Sequence, residues 1–442
     1  MIDFLLNIIQ TPPIILGLVA MIGLILQGKK FGQVFEGTIK TSLGMLIISI
    51  GAGFLVQEIL PFVELFGEVF KLQGFATSSE AVVGTLQANI PVVATTGSLI
   101  LGLGFIVNIL FARFTPLKNI FLTGHMMWIS SVAIAYSLYT QGYSELTIIL
   151  LGSLLQGLLL TMIPSIIQPA VSKVIGNDSI SIAHLTNVGT GLSSYLGGTI
   201  GNRDDSAEDL ELPKQLEFFS DTSISVAVVM LFFYLLVVII AGPEKVGVLS
   251  EGQNYIVFGI LKSLGFTAGV LVLLQGVRLF LGEIVPAFKG IADKVVPGAR
   301  PGLDVPVLFA LAPNSLMIGF LTAVLGMVVG MFISSAIFNV TPLVSIIGAF
   351  FTGGVAGILG NASGGKRGAI ISGFLYGLIL ILLSGLVYAT FDFSAVGAAG
   401  IGHDCIDIMI IMLLLRKPII GIPIMVVFYI FLSIKEKNKQ LS

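Results

Sequence analysis

The residues able to do chemistry in this chain are few, and they lie where water is scarce. His125 follows Thr123 and Gly124 in the run Phe114-Thr-Pro-Leu-Lys-Asn-Ile-Phe-Leu-Thr-Gly-His-Met-Met127, set among long apolar segments. A polar side chain in hydrocarbon costs several kcal/mol unless it is paired, so an intramembrane histidine is a functional candidate by default. His184 lies in a second polar stretch at 178–200, Asp178-Ser-Ile-Ser-Ile-Ala-His184-Leu-Thr-Asn, followed by many Gly and Ser. Such backbone survives at membrane depth only if it is buried in protein or lines a cavity. Glu80 (after Thr77-Ser-Ser) and Asp304 (between Pro301 and Pro306) each stand just before an apolar span. A carboxylate accepts hydrogen bonds from several hydroxyls at once, which suits a polyol or a sugar. The bland reading of Asp304 is a cap on a half-helix. Asn314 and Asn361 either bind substrate or satisfy the backbone of broken helices.

Other chemistries find little to work with. The three histidines, His125, His184 and His403, are too far apart to show metal-ligand spacing, so neither a zinc site nor a cofactor is expected. The single cysteine, Cys405, excludes a disulfide framework, and with Asp404 beside it and no activating cation it makes no nucleophile–base pair. An intramembrane enzyme is therefore not expected. Gly360-Asn-Ala-Ser-Gly-Gly-Lys-Arg367 lacks the spacing of a phosphate-binding loop. A net charge of −2 without any basic stripe offers nothing to nucleic acid.

The elements that must position these groups are membrane helices. Of 442 residues 55% are hydrophobic and only 10% charged, with mean hydropathy +1.04. Soluble domains carry about a quarter charged residues, so this fold is all-α, polytopic and solvated by lipid. About 11 spans are expected, near 13–28, 38–57, 96–112, 119–138, 146–166, 222–241, 254–280, 308–334, 342–360, 367–390 and 418–434. Stretches 58–71 and 281–296 are amphipathic and suit the interface. Segment 394–416 is expected to be re-entrant or broken. The densest block of charge sits in one loop at 201–221. Lys29, Lys30, Arg113, Lys118, Lys366, Arg367 and the basic tail all fall in the cytoplasm if the N-terminus is outside. The N-terminus carries no basic region or small-residue cleavage site, so no removable signal is expected.

The two halves look duplicated. Thr115-Pro-Leu with Phe121-Leu-Thr-Gly124 matches Thr341-Pro-Leu with Phe350-Phe-Thr-Gly353. Lys40-Thr-Ser-Leu-Gly44 matches Lys262-Ser-Leu-Gly265, and Glu58-Ile-Leu-Pro-Phe62 matches Glu283-Ile-Val-Pro-Ala-Phe288. Further matches fall in the same order at nearly constant offset, aligning Glu80 with Asp304. The expected organisation is a first repeat at 1–200, a charged cytoplasmic loop at 201–221, a second repeat at 222–416, and a last helix with a basic tail at 417–442. Inverted repeats with broken helices are the architecture of alternating-access transporters.

The motifs Leu122-Thr-Gly-His-Met126, Ser206-Ala-Glu-Asp-Leu-Glu-Leu-Pro213, Gln275-Gly-Val-Arg278 with Glu283, Leu303-Asp304, Ala312-Pro-Asn-Ser-Leu316 and Asn361-Ala-Ser-Gly-Gly-Lys-Arg-Gly-Ala369 carry a resemblance. The chain resembles, almost end to end, the ascorbate-type membrane permease (enzyme IIC) of the bacterial phosphoenolpyruvate-dependent sugar phosphotransferase system. The resemblance implies a homodimer in the cytoplasmic membrane, with a scaffold part and a moving core. It implies elevator-type inward transport of a sugar or sugar acid, and phosphorylation by a separate enzyme IIB fed by IIA and HPr. Glutamines follow both histidines in the ascorbate-specific members; here Ile129 and Ser130 follow His125, and Leu185 and Thr186 follow His184. Glu80 falls near a tyrosine position. The implied substrate-binding set is Glu80, Thr123, Gly124, His125, His184, Thr186, Asp304, Asn314 and Asn361. The alternative is a proton- or sodium-coupled secondary transporter of a polar metabolite, in which Glu80, Asp304 and the histidines relay protons.

Overall fold

The computed structural model describes residues 11–69, 79–210, 222–391 and 404–441. His403, loop residues 211–221, the first part (394–403) of the expected re-entrant stretch 394–416 and the side chain of Glu80 lie outside what is described. The protein is an all-α multi-pass membrane protein. Among the described residues eight helices are long and apolar enough to cross a membrane, and shorter apolar helices cover Leu16–Leu26 and Ile406–Leu415. Some of the eleven expected spans are therefore short helices that do not meet that length.

The helices fall into two sets by packing. The first comprises α1 (Pro12–Leu26) and α2 (Phe31–Val69), with α8 (Thr222–Ser250) and α9 (Tyr255–Lys294) from later in the chain. Residues 58–69 and 281–294 of the two expected amphipathic stretches are the C-terminal ends of α2 and α9, with Pro61 and Pro286 inside the helices. At 39 residues α2 is about 60 Å long, twice the hydrocarbon thickness. α2 and α9 run antiparallel: Gly44 meets Phe280, Gly51 meets Leu273, and Glu58 meets Gly265. A Cβ on Gly51 would lie 2.4 Å from the Leu273 nitrogen, so only glycine allows this approach. Two ion pairs bind the same helices reciprocally, Lys262 to Glu58 at 3.1 Å and Lys40 to Glu283 at 3.6 Å.

The second set holds α3 (Ser79–Asn89), α4 (Pro91–Phe114), α5 (Gly124–Tyr139), α6 (Glu145–Ile175), α7 (Asn187–Ile200), α10 (Pro313–Phe338), α11 (Ile346–Thr390), α12 (Ile406–Leu415) and α13 (Pro418–Leu441). α11 contains a π-helical turn at Ala349–Gly353 and a break at Gly364–Gly365. α7 is rich in Gly, Ser and Thr and packs on α11 through Ser194 to the Leu359 carbonyl and Ser372 to the Ser193 carbonyl, each at 3.0 Å. Its polar residues Asn187, Thr190, Ser193 and Ser194 are buried in protein. In lipid, small residues that let backbones approach and hydroxyls that bond across helices replace the hydrophobic drive between helices.

At the centre of the second set lies a three-stranded parallel sheet, order β1-β3-β2. β1 is Asn119–Phe121, β2 Ser181–Ile182 and β3 Arg300–Leu303. Ile120 pairs with Pro301, and Ser181 with Gly302. An open sheet edge cannot stand in hydrocarbon, and buried amides close both edges. On the β1 side Asn108 donates to the Asn119 carbonyl and accepts from the Phe121 N–H, each at 3.0 Å. On the β2 side Asn187 donates to the Ile182 carbonyl at 2.8 Å and Gln168 to the Ile180 carbonyl at 3.0 Å.

Candidate substrate-binding site

All three strands point the same way, so their carboxyl ends deliver three side chains to one place. β1 leads through Leu122 and Thr123 to His125 in the first turn of α5; β2 leads to His184; β3 leads to Asp304. Asp304 splits its two oxygens. Oδ1 accepts the Val305 N–H at 2.7 Å and so caps the 3₁₀ helix Val305–Leu311, while Oδ2 faces His125 Nε2 at 3.7 Å. The capping and functional readings of Asp304 hold together, because a carboxylate has lone pairs for both.

These groups border a cavity between the two helix sets. Thr123, Gly124, His125, Leu303, Asp304, Pro306 and Val307 form one wall, and Leu16, Met45, Ile48 and Phe280 of the first set face them. The first wall carries the polar groups Thr123, His125 and Asp304 among apolar neighbours, and the facing wall is apolar. His125 and Asp304 reach partly into the open space, whereas His184 is buried behind them. Two buried polar atoms here have no hydrogen-bond partner, the Thr123 hydroxyl and His184 Nδ1. Unmet buried donors and acceptors are uncommon and mark places where a polar guest belongs. Thr123 is the N-cap of α5 but makes no side-chain cap bond, so the positive end of α5 is open toward the cavity.

The remaining expected residues lie elsewhere. Thr186 is buried behind His184 and its hydroxyl bonds the Tyr376 hydroxyl. Asn314 and Asn361 do not line the cavity. Asn314 Nδ2 donates to the Ala207 carbonyl at 3.3 Å, and Asn361 Oδ1 accepts the Ala207 N–H at 2.8 Å. Both amides therefore hold the loop at 202–210, the backbone-satisfying one of their two readings. Glu80 is the second residue of α3, whose first, Ser79, donates to Asp404 Oδ1 at 3.0 Å.

Sequence reasoning missed Asp407, Glu208 and Tyr376. Asp407 is buried and accepts backbone N–H groups of α7. A lone carboxylate in Cys405-Ile-Asp-Ile-Met-Ile-Ile411 was the available signal. Glu208 accepts from the Asn314 and Ser315 N–H groups at 3.2 and 2.8 Å, capping α10 from the acidic loop. Nothing in its exposed, charged surroundings distinguished it from a solvated carboxylate.

The family model for sugar-specific permease components of the phosphotransferase system (EIIC-GAT) matches residues 7–404. The chain belongs to that family. It is a family of transport components rather than of catalytic enzymes, seated in the bacterial cytoplasmic membrane. Among curated proteins the chain is similar to the ascorbate-specific phosphotransferase-system EIIC component of Mycoplasma pneumoniae, 27% identical over 432 aligned residues. That match covers 85% of this chain and 65% of the relative, so the chain spans about two thirds of the relative's length.

Proposed function

We propose that the chain is an enzyme IIC permease that moves a sugar acid of the ascorbate kind inward for phosphorylation by a separate enzyme IIB. The observation that carries this is the convergence of His125, His184 and Asp304 at the carboxyl ends of three parallel strands, beside a cavity between two helix sets. Asp304 and the imidazoles offer acceptors and donors to a hydroxyl-rich ligand. The open N-terminus of α5 supplies a positive partner for the sugar's negative charge, which would otherwise meet Asp304 uncompensated. The relative from Mycoplasma pneumoniae is ascorbate-specific, which points the same way.

The mechanism proposed is an elevator. The wall carrying the polar groups belongs to one helix set and the apolar wall to the other, so sliding the first past the second carries the site without dismantling it. The cavity, about 30 Å³, is smaller than any sugar and holds little more than a water; loading requires the two sets to part. The reciprocal ion pairs between antiparallel α2 and α9 support two inverted halves, with Glu58 and Lys262 exchanging roles with Glu283 and Lys40. The exposed apolar stripe Phe31, Phe35, Leu43, Ile50 and Phe54 along α2 is where lipid and a second copy of the chain would sit, in keeping with a homodimer.

The test is uptake of radiolabelled L-ascorbate by cells expressing the chain with and without its IIB. Accumulation as the sugar phosphate is expected only with IIB present. Concentrative uptake of unmodified sugar by the chain alone in proteoliposomes, driven by a proton or sodium gradient, would overturn the proposal.

A further inference from the structure

Distance along the sequence argued against a metal site, and the fold removes that objection. His125, His184 and Asp304 each offer one donor atom, and the three atoms lie within 4.8 Å of one another. Nε2 of His125 already stands 3.7 Å from Oδ2 of Asp304. We infer that these three side chains form a binding site for a divalent first-row transition ion.

The donor set fits that class. Two imidazoles and one carboxylate hold zinc in open sites and ferrous iron in facial triads, each leaving a position free for water or another ligand. Bonds of about 2.1 Å place tetrahedral ligands about 3.4 Å apart, so the donors must draw together by on the order of 1 Å. His125 and Asp304 reach into open space and have room to turn. His184 is the fixed member: it is 3% exposed, and its Nδ1 lacks a partner. A cavity of about 30 Å³ has room for an ion with a water. Leu16, Ile48 and Phe280 opposite make the facing wall apolar, and a hydrophobic shell around a site lowers its dielectric and tunes the bound ion. The Asp304 carboxylate compensates part of the ion's charge, while magnesium or calcium, which prefer all-oxygen ligands, fit poorly.

The test uses the full chain in lipid nanodiscs, stripped with a chelator and free of sugar, titrated with Zn²⁺ by calorimetry and with Co²⁺ by visible absorption. One ion per chain is expected, with Co²⁺ bands of nitrogen–oxygen coordination. His125→Ala and Asp304→Asn should each weaken Zn²⁺ binding by about tenfold or more. Asp178→Asn, at a surface carboxylate paired with Lys439, should leave it unchanged. Where the buried His184→Ala variant fails to fold, the two cavity-facing variants decide. Absence of saturable binding at millimolar Zn²⁺, or an equal loss with Asp178→Asn, overturns the inference. Metal alone is the probe, so the result stands whether or not the cavity also takes a sugar.

Discussion

Asp407 holds the start of α7 through Asn187: Oδ2 accepts the Asn187 N–H and Oδ1 the Val188 N–H, each at 2.9 Å. The Asp407 N–H in turn donates to the Leu185 carbonyl at 2.9 Å. The turn carrying His184 and Thr186 is thereby pinned from both sides by a residue far away in sequence. A carboxylate at a helix N-terminus is also well placed against the helix dipole.

Removing Asp407 should therefore move the site as well as the stability. Asp407→Ala leaves two buried N–H groups unmet, for a loss of about 1–3 kcal/mol each way the bond count is taken. Asp407→Asn keeps one acceptor and sets an amide NH₂ against the second donor, so it should fall between. L-Ascorbate affinity should drop in both, and His184→Ala on top of Asp407→Ala should cost less than it does alone. A lowered melting temperature with unchanged affinity would restrict Asp407 to a structural role.

Asn314 and Asn361 should matter to the loop and not to the sugar. Glu208 accepts from the Ser315 hydroxyl at 2.6 Å as well as from two backbone N–H groups, and the two asparagines grip Ala207 beside it. Glu208→Ala should destabilise the protein by about 1–2 kcal/mol, the range for a lost helix cap. Limited proteolysis should cut 202–210 faster in Glu208→Ala, Asn314→Ala and Asn361→Ala, while ascorbate affinity stays near the parent value. A sugar-binding defect in Asn361→Ala with normal protease resistance would return that residue to the site.

The legible and illegible parts of this protein divide by the range of the interaction. Hydropathy is local, so the lipid-solvated helical class could be read directly, and the doubled Lys…Ser-Leu-Gly and Glu-Ile-x-Pro patterns pointed to residues that prove to pair across α2 and α9. His125, His184 and Asp304 were singled out one at a time from the cost of burying polar groups. Their meeting was not legible, because it depends on three strands of two to four residues, too short to leave any alternation. For the same reason a metal-ligand set could not be seen in the spacing. The amides Asn108, Asn187 and Gln168 went unnoticed because their task, closing a sheet edge, exists only once that sheet does. Asn314 and Asn361 were ambiguous in sequence since binding a sugar and binding a loop call for the same amide.

The break in α11 is set by Gly365, at φ 62°. A Cβ there would lie 2.1 Å from the Asn202 carbonyl and 2.3 Å from that of Asp205. Neither the left-handed backbone nor the space admits a side chain. Gly365→Ala should release the loop from α11, breaking the 2.7 Å bond from the Lys366 N–H to the Asp205 carbonyl. The loss should exceed about 1 kcal/mol, since the substitution is incompatible with the native backbone. Thermal melting in detergent measures it; a variant as stable as the parent would show that the loop is held by its side chains alone.

The two reciprocal ion pairs should differ in worth although they occupy corresponding places. The Glu58 side chain is 11% exposed and that of Lys262 24%, against 30% for Glu283 and 42% for Lys40. Lys40 also has a second partner in Glu36 at 2.6 Å, so losing Glu283 does not strand it. Glu58→Gln leaves Lys262 largely desolvated without a counter-charge and should cost about 3 kcal/mol. Glu283→Gln should cost less than about 1 kcal/mol, as exposed pairs do. In Glu58→Gln/Lys262→Met the stranded charge is gone, and most of the lost stability should return because the penalty is desolvation rather than lost attraction. Thermal melting of the four proteins in one detergent decides. Equal losses at Glu58 and Glu283 would show that burial does not set the difference, and that the two halves meet across α2 and α9 under the same electrostatic conditions.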